Sequence, residues 1–146
     1  MGHSTAEAVV DAGIRLVPVT LTAASSREVL AVNDVAVDAY PLAERDEVFA
    51  SVMQDYPNMV LIDFTLPDAV NTNAEFYAAK GIPFVMGTTG GDRGALMSTV
   101  EAAGTFAVIA ANMGKQIVAL QAMLDYCATQ FPGAFSGYSL SVKESH

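Results

Sequence analysis

Short loops rich in glycine, threonine and other small residues supply the candidate chemistry of this chain. They read Gly87-Thr88-Thr89-Gly90, Asp63-Phe64-Thr65 and Ala110-Ala111-Asn112-Met113. Small side chains let a flat ligand lie against the backbone, and threonine hydroxyls and N–H groups can hydrogen-bond its ribose or amide. Paired carboxylates, His/Cys metal spacing and a Ser/His/Asp arrangement are not found in the sequence, so no rival chemistry competes with ligand binding.

Each of these loops also has an ordinary structural explanation. The glycine-rich loop fits a turn that leads into a helix capped by Asp92. Asp63 and Thr65 are common turn formers before Pro67. His146, the last residue, fits a frayed tail. Residue types by themselves therefore leave both readings open.

Composition excludes several classes of partner. The chain has 146 residues, 52% of them hydrophobic and 16% charged, which predicts one globular domain. A net charge of -9, with 7 basic residues that form no cluster, argues against nucleic acid. Phosphate could still bind backbone N–H groups at a helix N-terminus. Apolar runs fall short of the ~20 residues that a membrane helix needs, so we expect no membrane contact. The single cysteine, Cys127, is expected to be a buried thiol.

Alternating strands and helices must position the loops. The patterns predict helices at 4–13, 43–56, 67–80, 92–103 and 114–131, strands at 15–21, 59–64, 83–86, 106–110 and 138–143, and a hairpin at 29–32 and 35–39. A Ser4 to Glu7 capping box is expected to open the first helix. Such alternation indicates βαβ units and a parallel sheet, whose ligands bind at the carboxyl ends of the strands. The candidate loops follow those ends.

Several segments resemble dihydrodipicolinate reductase, particularly the form typical of plants. The matching segments are 83–93, 113–118, 130–138 and 144–146, with further matches at Asp63-Phe64-Thr65, Pro67, Ala69-Val70-Asn71, Asn73 and Glu75. They occur in order over nearly the entire chain. The resemblance implies an α/β, Rossmann-like doubly wound parallel sheet. It also implies an NAD(P)H-dependent oxidoreductase acting on CH or CH-CH groups, which reduces dihydrodipicolinate (4-hydroxy-tetrahydrodipicolinate) to tetrahydrodipicolinate in lysine and diaminopimelate synthesis.

The resemblance further implies roles for individual residues. His146 would be the catalytic residue, a proton donor whose ordinary pKa near ~6.5 suits that work. Gly2 would be the tail of the phosphate-binding glycine turn. No metal is implied. The cofactor-binding residues implied by the resemblance are Gly2, Phe64, Thr65, Gly87, Thr88, Thr89, Ala110, Ala111, Asn112 and Met113.

The choice between NADPH and NADH stays open. Discrimination normally rests on an acidic residue at the end of the second strand, and Thr20-Leu21-Thr22 carries none there. NADPH is therefore not repelled, and both cofactors stay candidates. Arg27 is a candidate for a 2′-phosphate contact, although it also fits a solvated position.

The resemblance also predicts how the chain relates to a whole enzyme. Residues 1–146 would be a partial NAD(P)-binding Rossmann domain that lacks the first strand and ends at the start of the substrate and tetramerisation domain. By itself the chain is expected to be inactive. The full-length protein would be a homotetramer that binds a small-molecule substrate, located in the cytoplasm or the plastid stroma. Two alternatives remain, namely another Rossmann oxidoreductase with the same glycine-threonine loop, and a non-catalytic truncated remnant.

Overall fold

A computed structural model describes residues 1–88, 90–110 and 112–143. The chain forms two compact units, Met1–Ala110 and Ala111–His146. The helices are α1 (Gly2–Asp11), α2 (Arg45–Asp55), α3 (Val70–Ala79), α4 (Arg93–Ala103) and α5 (Lys115–Gln130). The strands are β1 (Val19–Thr22), β2 (Glu28–Val32), β3 (Val35–Pro41), β4 (Leu61–Asp63), β5 (Phe84–Met86) and β6 (Ala107–Ile109). Short 3-10 turns at Leu42–Glu44 and Pro67–Ala69 lead into α2 and α3.

The first sheet has the strand order β1-β3-β2, with β3 parallel to β1 and antiparallel to β2. The predicted hairpin is confirmed, and Asn33 at its turn takes a φ of 50°, which asparagine tolerates better than most residues. Strand β1 begins at Val19, later than predicted. Pro18 explains this difference, because it has no N–H for a ladder and only its carbonyl accepts a bond, from Asp38 N at 2.9 Å.

The second sheet is parallel throughout, with the order β4-β5-β6. Helices α3 and α4 connect its strands, which confirms the predicted βαβ units. Asp92 caps α4 by accepting a bond from Ala95 N at 3.0 Å, and Gly104 ends the helix with a φ of 62°. Strand β4 lies at an edge of this sheet, where the flanking Val60 and its own Ile62 are exposed.

The core lies on one face of the second sheet. Phe84 and Met86 of β5 are almost fully buried there. Phe84 stacks at a tilt on Tyr77 of α3, with 5.3 Å between the ring centroids. Leu21 of β1 and Leu61 of β4 both pack against this cluster, so the two sheets share it.

Two predicted features are wrong. Residues 138–143 form no strand. The described part of the second unit contains α5 but no other segment with which they could pair in a ladder. The alternating side chains of 138–143 fit a strand, but alternation by itself does not provide a partner strand. The capping box at Ser4 is also absent, because α1 already begins at Gly2, with Met1 as its N-cap and no side-chain cap.

Helix α5 differs from its prediction in its burial. Its apolar pattern predicts a helix covered on several sides, yet no residue of α5 is fully buried, and Cys127 is only half-buried. Within the described ranges, none of the helices combines the length and apolar character needed to cross a membrane.

Phe84→Ala tests whether β5 forms the centre of the core. We expect the free energy of unfolding to fall by about 3 to 5 kcal/mol, because the variant leaves a cavity at a ring that is 1% exposed. Phe106→Ala is the matched control, since Phe106 is 83% exposed, and it should change stability by less than about 0.5 kcal/mol. Urea unfolding measures both variants. Equal losses would contradict the placement of the core.

Candidate functional site

Three predicted site residues emerge at one rim of the second sheet. The strands β4, β5 and β6 end in register, with Met86 paired to both Asp63 and Ile109. Since the strands are parallel, the residues that follow them leave at the same edge. These residues are Phe64, Gly87 and Ala110. The ladder extends to two of them, because Gly87 N donates to Asp63 O at 3.0 Å and Ala110 N donates to Met86 O at 3.2 Å.

Glycine is required in the loop after β5 by close packing. A Cβ built on Gly87 would overlap the ring of Phe64, which lies half-buried beside it. Gly90 has a φ of 127°, and a Cβ there would press on Pro67 at 2.6 Å. A side chain at Gly87 would displace the Phe64 ring, and one at Gly90 would press on Pro67 and strain the backbone. The glycines therefore let the loops after β4 and β5 touch.

Asp63 is a buried carboxylate at the end of β4, only 2% exposed. Its Oδ1 accepts a bond from Thr65 N at 2.7 Å, and its Oδ2 accepts bonds from Asn73 Nδ2 at 3.0 Å and Tyr77 Oη at 2.8 Å. These donors compensate for the loss of water around the charge. Burial, and then the adjacent Asp63 charge and hydrogen bond, raise the pKa of Tyr77 well above its ordinary value.

The first turn of α3 ties both loops to the helix. Asn73 Nδ2 lies 3.1 Å from Thr65 Oγ1 and donates to it, in addition to its bond with Asp63. Asn71 makes two bonds with the backbone of Asp92, donating to its carbonyl at 2.9 Å and accepting from its N–H at 2.8 Å.

Thr88 joins the two loops directly. Its hydroxyl donates to Thr65 O at 2.7 Å. The loops after β4 and β5 therefore form one hydrogen-bonded surface, which we call the double loop and define as residues 63–71 and 87–92, with residue 89 outside the described part. It brings together four of the predicted site residues, Phe64, Thr65, Gly87 and Thr88.

The other predicted residues lie elsewhere or outside the described residues. Gly2 is exposed in the first turn of α1, a helix held against β2, where His3 Nε2 lies 2.9 Å from Ala31 O. Asn112 and Met113 belong to the second unit, just before α5, and Asn112 Oδ1 accepts a bond from Gly114 N at 3.0 Å. Thr89, Ala111 and His146 lie outside the described residues, so their assignments stay predictions.

Arg27 is already paired within the first unit. Its Nε donates to Glu44 Oε2 at 2.8 Å, and its guanidinium lies 4.7 Å from the centroid of the Tyr40 ring. The hydrogen bond to Glu44 raises the pKa of Arg27 above its ordinary value. The described residues contain no cluster of three or more His, Cys, Asp or Glu side chains suited to a metal ion.

Sequence reasoning missed the network around Asp63. Tyr77 was not predicted as a site residue, and Asp63 was explained as a turn former. The available signal was Asn73 and Tyr77 at i and i+4 of a predicted helix, where both would share a face. Placed against a strand that ends in a carboxylate, two such donors indicate a buried hydrogen-bonded charge.

The raised pKa of Tyr77 makes stability depend on alkaline pH. Above about pH 10 the unfolded chain releases the Tyr77 proton whereas the folded chain keeps it. This contribution is therefore fully present below about pH 10 and is lost as pH rises, by at most about 1.4 kcal/mol per unit. Tyr77→Phe should lose less stability than the unmodified chain between about pH 9 and pH 11. Urea unfolding across this range measures both slopes, and equal slopes would contradict the prediction.

Comparison with known proteins identifies the family. The family model described as "Dihydrodipicolinate reductase, N-terminus" matches residues 1–113. The chain is 49% identical, over its whole length and 43% of the relative's, to a probable 4-hydroxy-tetrahydrodipicolinate reductase 1, chloroplastic, of Oryza sativa subsp. japonica. It is 46% identical, over its whole length and 42% of the relative's, to 4-hydroxy-tetrahydrodipicolinate reductase 1, chloroplastic, of Arabidopsis thaliana. A 4-hydroxy-tetrahydrodipicolinate reductase of Haloarcula marismortui is 30% identical over 76% of this chain and 43% of its own length.

These matches decide several predictions. The chain spans less than half of the length of the plant relatives. The predicted resemblance and the Rossmann-like α/β fold class are confirmed, and the alternative of another Rossmann oxidoreductase with the same glycine-threonine loop is wrong. With the parallel second sheet and its double loop, these matches show that the chain belongs to the dihydrodipicolinate reductase family and corresponds to the N-terminal part of that family.

Proposed function

We propose that this chain is the cofactor-binding part of an NAD(P)H-dependent reductase that converts 4-hydroxy-tetrahydrodipicolinate to tetrahydrodipicolinate. The observation that carries the proposal is the double loop beside the registered ends of β4, β5 and β6. It supports a site at the carboxyl edge of a parallel sheet, where ligands bind in folds of this class. The names of the relatives support the reaction.

The residues at this rim suit a nicotinamide and its ribose. Ala110 has only a methyl group, so a planar ring can approach the backbone after β6, whereas at Gly87 the Phe64 ring fills the place of a side chain. Phe64 offers an aromatic surface beside Gly87. Since Thr65 Oγ1 accepts a bond from Asn73, the hydroxyl proton of Thr65 is directed away from that amide and is available to donate. Bound NAD(P)H supplies a hydride, and these groups hold and orient the ring that carries it.

Further roles rest on the family. Gly2 lies in the first turn of α1, where N–H groups and the absence of a side chain suit phosphate. Ala111, Asn112, Met113 and Thr89 are proposed to complete the nicotinamide site. His146 is proposed to donate a proton to the substrate as the hydride arrives, and an imidazole suits that role near neutral pH.

We also propose properties of the whole enzyme. Residues 1–146 would be part of a Rossmann domain that continues into a substrate-binding and tetramer-forming domain, consistent with the share of the relatives that the chain covers. The substrate would be a small molecule. A plastid location is proposed from the chloroplastic plant relatives. By itself the chain should bind cofactor without catalysing reduction.

Gly87→Ala tests the double loop as the cofactor site. The new Cβ would displace the Phe64 ring, and a shift of the site geometry should raise the dissociation constant for NADPH by about ten- to a hundredfold. Titration of NADPH fluorescence measures it. Gly104→Ala is the control, because a Cβ there meets nothing within 4 Å and its φ of 62° costs stability at the far end of α4, away from the double loop. Unchanged affinity in Gly87→Ala would argue against this site, and absence of binding in the unmodified chain would favour a remnant.

Arg27→Ala tests cofactor preference. Thr20, Leu21 and Thr22 offer no acid to repel a 2′-phosphate, so we propose that both NADPH and NADH bind. If Arg27 leaves Glu44 to bind the 2′-phosphate, the variant should lose about tenfold in NADPH affinity while NADH affinity stays unchanged. Paired titrations with the two cofactors measure this. Equal effects on both would rule out the phosphate contact.

A further inference from the structure

The network around Asp63 lies behind the rim, not on it. Asp63, Asn73 and Tyr77 are 2%, 9% and 4% exposed, which leaves them little access to a ligand at the rim. Their hydrogen bonds nevertheless end on Thr65, which is exposed there. The backbone N–H of Thr65 donates to the Asp63 carboxylate at 2.7 Å, and its hydroxyl accepts from Asn73 at 3.1 Å. A buried network thus terminates on one exposed residue of the candidate site.

We propose that Asn73, anchored by the carboxylate of Asp63, is a positioning residue that sets the orientation of the Thr65 hydroxyl for the cofactor. The inference rests on the proposed function, because that orientation matters for cofactor binding only if NAD(P)H binds at the double loop. It goes beyond the proposed function by assigning a role to a residue that contacts no ligand.

The chemistry of the asparagine amide explains the choice of residue. The Nδ2 group carries two protons, and it donates one to Asp63 Oδ2 at 3.0 Å and the other to Thr65 Oγ1 at 3.1 Å. A threonine hydroxyl can rotate to donate or to accept. Facing an N–H donor, it must accept, so its own proton turns away from Asn73. The amide therefore decides which way Thr65 donates, before any ligand arrives.

Thr65 also helps to hold the second loop in place through a hydrogen bond. Its carbonyl accepts the Thr88 hydroxyl at 2.7 Å, while Gly87 N bonds the carbonyl of Asp63 at 3.0 Å. A rotation of the turn at Thr65 would release the Thr88 bond. One buried amide thus influences both halves of the double loop.

A substitution at Tyr77 distinguishes a positioning role of the network from simple stabilisation of the fold. Tyr77 bonds the same carboxylate oxygen as Asn73, at 2.8 Å, but Asn73 also reaches Thr65. A purely structural network predicts that Tyr77→Phe and Asn73→Ala affect the cofactor in proportion to their loss of stability. A positioning role predicts a larger effect for Asn73→Ala at equal stability loss.

The test compares Asn73→Ala, Tyr77→Phe and Leu96→Ala in this chain by NADPH titration and by amide hydrogen exchange of Thr65. Asn73→Ala should raise the NADPH dissociation constant by about ten- to a hundredfold and speed Thr65 exchange by about tenfold. Tyr77→Phe should have a smaller effect on both. Leu96→Ala is the control, since Leu96 is buried in α4 and its loss lowers stability while every hydrogen bond of the network keeps its donor and its acceptor.

The outcomes are distinguishable. Unchanged affinity in Asn73→Ala, or an equal loss in Leu96→Ala, would overturn the positioning role. Unchanged Thr65 exchange in Asn73→Ala would overturn it as well, whether or not NADPH binds. If the unmodified chain binds no NADPH, the proposed function fails for this chain, while the exchange comparison still decides whether Asn73 orders Thr65.

Discussion

The buried carboxylate of Asp63 constrains much of the first unit. A charge removed from water costs several kcal/mol unless donors surround it, so the chain must bring donors to the end of β4. Two of them, on Asn73 and Tyr77, come from one face of α3. A slip of α3 by one residue would rotate that face by about 100° and leave Oδ2 of Asp63 without its two donors. The register of α3 on the sheet, and with it the position of Asn71 at the second loop, follows from this requirement.

Local signals in the sequence predicted most of the fold. Asp92 and Gly104 mark the ends of α4 because a cap and a left-handed glycine act within a few residues of themselves. The strand predicted at 138–143 is wrong for the opposite reason. A strand forms only when it pairs with a partner, and the alternation of its own side chains does not specify that partner. The Asp63 network was missed because its bonds to Asn73 and Tyr77 join residues 10 and 14 positions apart. The resemblance named matching residues but not the contacts that they make.

The glycine-rich loop had two competing explanations, a turn and a ligand surface. The structure shows the turn, because Gly87 and Gly90 pack against Phe64 and Pro67, and the ligand surface belongs to the proposed function. Gly87 must lack a side chain because the Phe64 ring occupies the space that a Cβ would take. A glycine required by packing and a glycine required by a ligand look the same in the sequence, which explains why residue type by itself could not separate the two explanations.

The edge position of β4 has a consequence for the chain in solution. Val60 and Ile62 are 59% and 42% exposed beside backbone groups that can pair with a strand from another molecule. The net charge of -9 opposes such encounters between identical chains. Added salt shortens the range of that repulsion to about 8 Å at physiological ionic strength. Colloidal behaviour should therefore be governed by ionic strength, and dilute buffers of low salt are the conditions in which the chain remains dispersed.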